Sequence, residues 1–440
     1  MIFNKPIAMK LYDQFNISKF MYTKMYNYYI GNTDTKNSYP KTDRSNRVAN
    51  TNYIKKFITE HVSYAVGNPI TYISRSNNSN MIKDIEYHMD NQIGSLDAEL
   101  MKNMLIFGEG YEIYYLNQGE FKVRVCSPLN SIPYCDIEGN VQLFMYFYKK
   151  ELDDNKVYID VYDDKFIYHF DDAFNQIAPP TPHYFGVVPV GVARLGNGTN
   201  ETLYNDIANL QDNYENVVSD WLNMSGDLRD AYLLFSGATL DDETAENIKS
   251  KGIIQMPDGG DARFLTKNIQ ADFIRSLADT IEDKIYQISQ SVNNNEAMQS
   301  NTSGVALQSR IISLRNRIGL EQKALSDCIK TRLKCLFMFL YQSESKIYDY
   351  KDVKIQFTMN IPQDDVSMAQ VISQLSGKLS IQTGLSQLSF ITDAKGELDK
   401  MIEEQKLLNP EPPAPKEISP TLDPSNIEPN PMMDDNNMMN

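Results

Sequence analysis

Between residues 270 and 341 the chain carries two apolar stripes of helical period, separated by a stretch that has none. Ile274, Leu277, Ile281, Ile285, Ile288 and Val292 recur at steps of three and four, the spacing of one buried helical face. Then comes Asn293-Asn294-Asn295-Glu296-Ala297-Met298-Gln299-Ser300-Asn301-Thr302-Ser303-Gly304, rich in Asn and Ser and without apolar rhythm. Leu307, Ile311, Leu314, Ile318, Leu325, Ile329, Leu333, Leu336 and Leu340 resume the stripe. At about 1.5 Å per residue this second helix would be roughly 55 Å long, more than a compact domain needs. A polar loop held between two long helices predicts an extended subunit whose helices pack against copies of itself.

The 440 residues exceed what one hydrophobic core usually serves, so two or three structural regions are expected. A formal net charge of −16 makes the chain a poor candidate for tight binding to DNA or RNA, because that affinity comes largely from Lys and Arg neutralising phosphates. The same charge suits a surface that touches DNA without holding it. The four cysteines (Cys126, Cys135, Cys328 and Cys335) form no C-x-x-C pair and no disulfide framework. Cys328 and Cys335, seven apart, fit small residues in a helix seam better than a redox or metal role. Nothing at the N-terminus reads as a signal peptide. The densest apolar run, residues 335–341, is far short of the ~20 residues of a membrane span. A reduced, soluble, intracellular protein at synthesis is expected, with no membrane partner.

After a Tyr- and Met-rich opening and a polar stretch to Asn50, a helix is predicted with Ile54, Phe57, Ile58, Val62 and Ala65 on one face, stopped by Gly67-Asn68-Pro69. Another is predicted over residues 96–107. From Gly110 the period becomes two. Residues 111–116, a turn at Asn117-Gln118-Gly119 and residues 121–125 read as a hairpin, and 141–148, 156–162 and 165–170 add three short strands. This predicts an antiparallel sheet flanked by helices, an α+β fold. Pro179-Pro180-Thr181-Pro182 and residues 186–198 read as a loop-rich boundary. A long amphipathic helix follows, with Ile207, Leu210, Tyr214, Val217, Trp221 and Leu228 on one face, ending near Gly237. Residues 238–265 are short, mixed and loop-rich. Beyond a strand at 353–359, three helical segments run to Leu408. The last 32 residues hold eight prolines and many Asn and Asp, so they are expected to be a disordered tail.

Signatures of catalysis are missing by residue type. Ser376-Gly377-Lys378-Leu379-Ser380 lacks the leading Gly of a P-loop and the hydroxyl after Lys. Gly196-Asn197-Gly198 lacks the third Gly and the βαβ setting of a dinucleotide turn. The four histidines form no metal-binding spacing. Acidic pairs at Asp153-Asp154, Asp163-Asp164, Asp171-Asp172 and Asp241-Asp242 fall at turns, where Asp is favoured for backbone geometry. No catalytic, cofactor or metal site is expected. On the longest helix Arg310, Arg315, Arg317, Lys323, Lys330, Arg332 and Lys334 face only Glu321 and Asp327. Contact with nucleic acid is one reading of this basic surface. Pairing with an acidic neighbouring subunit is the preferred one.

Several strings, in their order, resemble the portal (head-to-tail connector) proteins of tailed bacteriophages, in particular the SPP1-type portal family. They are Tyr64-Ala65-Val66-Gly67-Asn68-Pro69-Ile70, Gly108-Glu109-Gly110-Tyr111-Glu112, Ser219-Asp220 with Asp230-Ala231-Tyr232-Leu233, Asn301-Thr302-Ser303-Gly304-Val305-Ala306-Leu307, and Ile361-Pro362 followed by Leu379-Ser380-Ile381-Gln382-Thr383, Asp393, Glu397 and Glu403-Glu404. The resemblance covers roughly residues 45–408. One departure is Pro189, followed here by Val190-Gly191-Val192 where the family often has an aromatic and an Asn pair.

The resemblance implies an elongated subunit: an α+β wing (1–203), a stem helix (204–236), a clip (237–268), a second stem helix (269–292), a tunnel loop (293–304), a long kinked helix with the wing return (305–360), a crown (361–408) and the tail (409–440). The kink would fall near Gly319. It implies a ring, typically dodecameric, at one vertex of the capsid, made in the host cytoplasm, through which double-stranded DNA is packaged and ejected. Terminase, then head-completion or adaptor proteins, would dock on the clip, with Asp241, Asp242, Glu243, Pro257, Asp258 and Arg263 at the contact. Capsid and scaffolding proteins would be further partners. Asn293, Asn294, Asn295, Glu296, Gln299, Ser300, Asn301, Thr302 and Ser303 would face DNA weakly and without sequence preference. Trp221, Arg310 and Arg317 would lie between subunits. The alternatives are another non-enzymatic virion protein, such as an adaptor or minor head protein, and a metal-dependent nuclease using the acidic pairs.

Overall fold

The computed structural model describes residues 3–41, 46–90, 92, 95–153, 156–229, 232–236, 246, 260–265, 271–293, 304–359, 365–388, 391 and 393–408. The chain divides into two units, Met1–Gln370 and Val371–Asn440.

Two antiparallel sheets organise the first unit. One has the order β3-β2-β9, formed by β2 (Glu109–Asn117), β3 (Glu120–Cys126) and β9 (Val190–Arg194). The other runs β4-β5-β6-β7-β8, from β4 (Ser131–Cys135), β5 (Val141–Lys149), β6 (Val157–Tyr162), β7 (Phe166–Asp171) and β8 (Gln176–Pro182). The predicted hairpin is present. Asn117 pairs with Glu120 around a two-residue turn, and Gln118 (φ 53°) and Gly119 (φ 84°) are both left-handed, as a turn matching strand twist requires. Asp163 and Asp171 lie at turns as expected, the Oδ1 of each accepting two backbone N–H bonds within its turn.

Side chains alternate along β5 and so bind two layers together. Leu143, Met145 and Phe147 pack with Ala8, Leu11 and Phe15 of α1 (Lys5–Tyr29). Phe144 points the other way and packs with Tyr111, Ile113 and Val190 of the three-stranded sheet. The far face of that sheet meets α5 (Leu96–Phe107) and the long helix α8 (Gly304–Glu344). The principal core gathers Phe57 and Ile58 of α3 (Tyr53–Val66), Met104 of α5, and Leu325, Ile329, Leu333 and Leu336 of α8. Cys328 and Cys335 are buried in this seam, as their spacing predicted.

The remaining elements of the first unit are α2 (Asp34–Ser38), β1 (Thr71–Ser74) paired with β12 (Val353–Gln356), α4 (Ser79–Asp90), α6 (Leu203–Arg229), β10 (Tyr232–Ser236) paired with β11 (Asp261–Leu265), and α7 (Ala271–Ser289). Next come α9 (Asp365–Gln374) and, in the second unit, α10 (Ile381–Leu385) packed on α11 (Ala394–Leu408).

The Tyr-rich opening, where no element was predicted, is a 25-residue helix, whose apolar side chains are divided between core and solvent and so give a weak period. Three expectations need correction. Residues 179–182 belong to edge strand β8, which tolerates Pro because it pairs only with β7 and through register shifts. Within the 186–198 boundary, residues 190–194 are a strand that pairs with β2. The first stem helix stops at Arg229, and residues 232–236 are a strand. Gly67 caps α3 where the sequence predicted its end, in right-handed conformation (φ −65°). The α-helical hydrogen bonding of α8 spans 41 residues and includes Gly319.

Candidate functional site

The helices α6 and α7 pack along one another, and α3 joins them through aromatic edges: Tyr53 lies against Tyr214 and Tyr286, and Phe57 against Tyr286. Tyr53 Oη donates to Glu282 Oε1 at 3.0 Å, and Lys56 Nζ donates to Tyr286 Oη at 2.7 Å. These contacts fix the helix pair to α3 through polar tips on an apolar body.

The second half of α6 departs from the apolar face read in the sequence. Gln211, Glu215, Ser219 and Asn223, each four residues apart, are buried, whereas Trp221 is 39% exposed. The polar ladder holds the chain that leads into α3, and the first turn of α3 itself. Gln211 Oε1 accepts from Ile54 N, Glu215 Oε1 from Thr51 N, Ser219 Oγ from Ala49 N, and Asn223 Oδ1 from Arg47 N. Glu215 Oε2 also accepts the Thr33 hydroxyl at 2.6 Å. Buried backbone donors must be paired, and here side chains of a helix serve where a β ladder would otherwise. Four i, i+4 polar residues were a legible signal, overlooked because the stripe was sought in apolar types.

Gln290 ends α7 in left-handed conformation (φ 59°). Gln290 N donates to Gln287 O and Ser291 N to Tyr286 O, the paired bonds of a Schellman turn. The Ser289 carbonyl is taken up by Arg317 of α8, whose Nη1 donates to it at 3.3 Å. The same guanidinium reaches Asp206 Oδ2 at 2.9 Å, Glu201 O at 3.5 Å and Glu321 Oε1 at 3.5 Å. Glu321 in turn faces His61 Nδ1 of α3 at 2.9 Å, with both side chains buried.

Further along α8, Arg332 is sealed between the three-stranded sheet and α5. Its Nε donates to Glu112 Oε2 at 3.0 Å and its Nη2 to Asp97 Oδ1 at 2.7 Å. Burial disfavours the charge, but Asp97 and Glu112 outweigh it and hold the guanidinium protonated. Tyr114 Oη, beside this cluster, donates to Glu112 Oε2 at 3.1 Å. Burial raises the Cys328 thiol well above its ordinary value and pushes Cys335 up to about 12, the state of inert structural thiols.

The expectation of an open basic face on the longest helix is thus corrected: two of its arginines are neutralised inside the chain. Arg317, expected between subunits, already has its partners at home. Trp221 does present itself outward, next to Leu222 (40% exposed). Phe273, Leu277 and Ile288 of α7 and Ile312 and Leu320 of α8 are further exposed apolar side chains. Arg310 lies in the first turns of α8, and Arg263 stands opposite Leu234 in the β10–β11 pair. Asn293 follows α7 and is half-buried. Asn294, Asn295, Glu296, Gln299, Ser300, Asn301, Thr302 and Ser303 lie outside the described residues, as do Asp241, Asp242, Glu243, Pro257, Asp258 and the tail 409–440. Among the described residues, no cluster of His, Cys, Asp or Glu is placed to hold a metal ion, and no helix is long and apolar enough to cross a membrane.

Residues 10–411 match the family described as phage portal protein, SPP1 Gp6-like, and the chain belongs to that family. No curated protein matches it by sequence. Among solved structures it is similar to a chain of the neck of an empty GTA particle computed with C6 symmetry, at 11% identity and TM-score 0.47, covering 74% of this chain and 86% of that one. It is also similar to a chain of the virion of a native gene transfer agent (GTA) particle, at 12% identity and TM-score 0.42, with 74% and 86% covered.

Proposed function

We propose that copies of this chain assemble as a ring at one vertex of a phage capsid, around a channel through which double-stranded DNA is packaged and later ejected. The observation that carries the reading is family membership over residues 10–411, joined to a subunit with apolar side chains left uncovered along α6, α7 and α8. Exposed Trp221, Leu222, Phe273, Ile312 and Leu320 lie on three long helices, and a head-to-tail ring supplies a neighbour on each side to cover them.

In this assignment α6 and α7 are the stem lining the channel. The β10–β11 pair forms the base of a clip, residues 237–268, on which terminase and then head-completion or adaptor proteins dock. Residues 293–304 are the tunnel loop, and 361–408 form the crown. The portal acts without catalysis of its own. A segment without Lys or Arg, in a chain of net charge −16, lets phosphates slide because no fixed cation retains them.

Electron microscopy of purified protein is the direct test. Class averages with a central bore wide enough for a DNA duplex support the ring, and a solid or filamentous particle rejects it. Shortening residues 293–303, or placing Lys at Asn295 and Gln299, is expected to impair DNA passage while leaving rings intact. Unchanged packaging would remove the loop from the mechanism.

A further inference from the structure

Arg317 touches four groups drawn from three parts of the chain: the end of α7, the start of α6 and its own helix α8. Nη1 binds the carbonyl of Ser289, the last residue of α7. Nη2 binds Asp206 in the first turn of α6 and the carbonyl of Glu201 just before it. Nε faces Glu321, one turn along α8, which His61 of α3 holds from the other side. A cation at the C-terminal end of α7 and a carboxylate at the N-terminal end of α6 are each favoured by the helix dipole, so the ion pair joins two complementary helix ends. A guanidinium is suited to this because its planar fork donates in several fixed directions at once, which an ammonium does not.

These contacts converge at one place in the chain. Ser289 is followed by the left-handed Gln290 and then by the segment that leads to α8, so Arg317 grips the last residue of α7, at the base of the turn that Ser291 N closes on Tyr286 O. Arg317 itself is in the helix that receives the segment at its other end.

The geometry points to Arg317 as a positioning residue: a clamp that fixes the departure of the 293–304 segment from α7 relative to its return into α8, and ties both to the wing through Glu321 and His61. The inference rests on the reading of that segment as the channel loop, and it gives that loop a mechanical seat. A loop that must narrow a channel by a set amount needs ends held in register, because a displacement at either end moves the constriction. The clamp supplies that register from outside the loop.

Amide hydrogen exchange on the full-length protein tests the clamp without DNA. Arg317→Ala is expected to accelerate exchange at residues 290–293, including the Ser291 amide bonded to Tyr286, by about tenfold, while the core amides of β5 are unchanged. Asp206→Asn, which keeps Arg317 but removes its shortest ion pair, is expected to give the same local pattern with smaller amplitude; it serves if Arg317→Ala does not fold. Arg317→Lys is expected to restore little protection. Unaltered exchange at 290–293 overturns the clamp, as does acceleration spread evenly through β5. DNA packaging by the same variants separates the two readings. Local loosening with impaired packaging supports both, and local loosening with normal packaging keeps the clamp but removes the channel role of the loop. Impaired packaging with unaltered exchange overturns the clamp alone.

Discussion

Arg332 Nε donates to Glu112 Oε2 at 3.0 Å, joining the long helix α8 to strand β2 across 220 residues of sequence, with both side chains sealed from solvent. Asp97 of α5 completes the site from a more exposed position. The cluster pins the helix at one azimuth over the three-stranded sheet, where apolar packing alone would tolerate small rotations.

Arg332→Ala should therefore be among the most damaging substitutions in the wing. It leaves Glu112 in the core without its cationic partner, a loss of about 3–5 kcal/mol. Arg332→Met together with Glu112→Gln is expected to cost clearly less than either change alone would suggest. Denaturant unfolding of the two single variants and the double one checks this. Strict additivity would show that the pair is not energetically coupled.

Gly191 and Gly119 make a controlled comparison. A Cβ at Gly191 would overlap the Tyr114 hydroxyl and the Cys328 sulfur, both buried between β9 and α8. Gly191→Ala should lose about 3 kcal/mol, since neither atom can retreat within a packed seam. At Gly119 nothing lies within 4 Å, and only the left-handed backbone (φ 84°) resists a side chain. Gly119→Ala should cost about 1 kcal/mol. Thermal unfolding curves that rank the two in the opposite order would refute the packing argument. The close approach of α8 gives a physical reason for a glycine two residues after Pro189.

Exposed apolar residues on the helices give the assembly test. Phe273 is 63% and Leu320 72% exposed in the subunit, so Phe273→Asp and Leu320→Asp should change its stability by no more than about 0.5 kcal/mol. Both are expected to shift the protein toward smaller species in light scattering, because a charge would be buried in a neighbour's contact. Wild-type oligomers from both variants, with unchanged circular dichroism, would mean these faces do not meet.

Acid should weaken the packing of α4 on α8. Burial lowers the pKa of His88 below its ordinary 6.5, opposed by Glu344, Asp84 and Glu120 and reinforced by Lys346. Its ring stands edge-on to Phe339 at 5.6 Å. The folded state resists protonation, so stability is full above pH 6.5 and falls as the pH drops from there to the lower folded pKa. His88→Phe should flatten that part of the profile. An equally steep fall in the variant would place the acid sensitivity elsewhere.

Much was legible before any coordinates. The hairpin turn at 117–119 declared itself through Gly and alternation, and helix 96–107 through its period, because both depend on neighbours close in sequence. The polar ladder of α6 was written in the sequence too, at strict four-residue spacing. Its meaning was hidden because the segment it binds lies roughly 170 residues earlier in the chain. Strands β8 and β9 were missed for a related reason. Pro and Gly mark a loop locally, and only pairing with β7 and β2 makes these residues strands.

From the sequence alone came the α+β class, the long helices, the boundaries that local chemistry enforces, and a resemblance strong enough to place the chain among phage portals. Tertiary structure decided which charges are spent at home. Arg317 and Arg332 looked like surface cations on a basic helix, and whether a guanidinium meets solvent, a neighbour or a carboxylate far away in the chain depends on the fold that brings Asp206 and Glu112 beside them. Periodicity reports which face of a helix is apolar. It carries no record of what a polar side chain on the other face will find, because that partner is chosen by three-dimensional proximity.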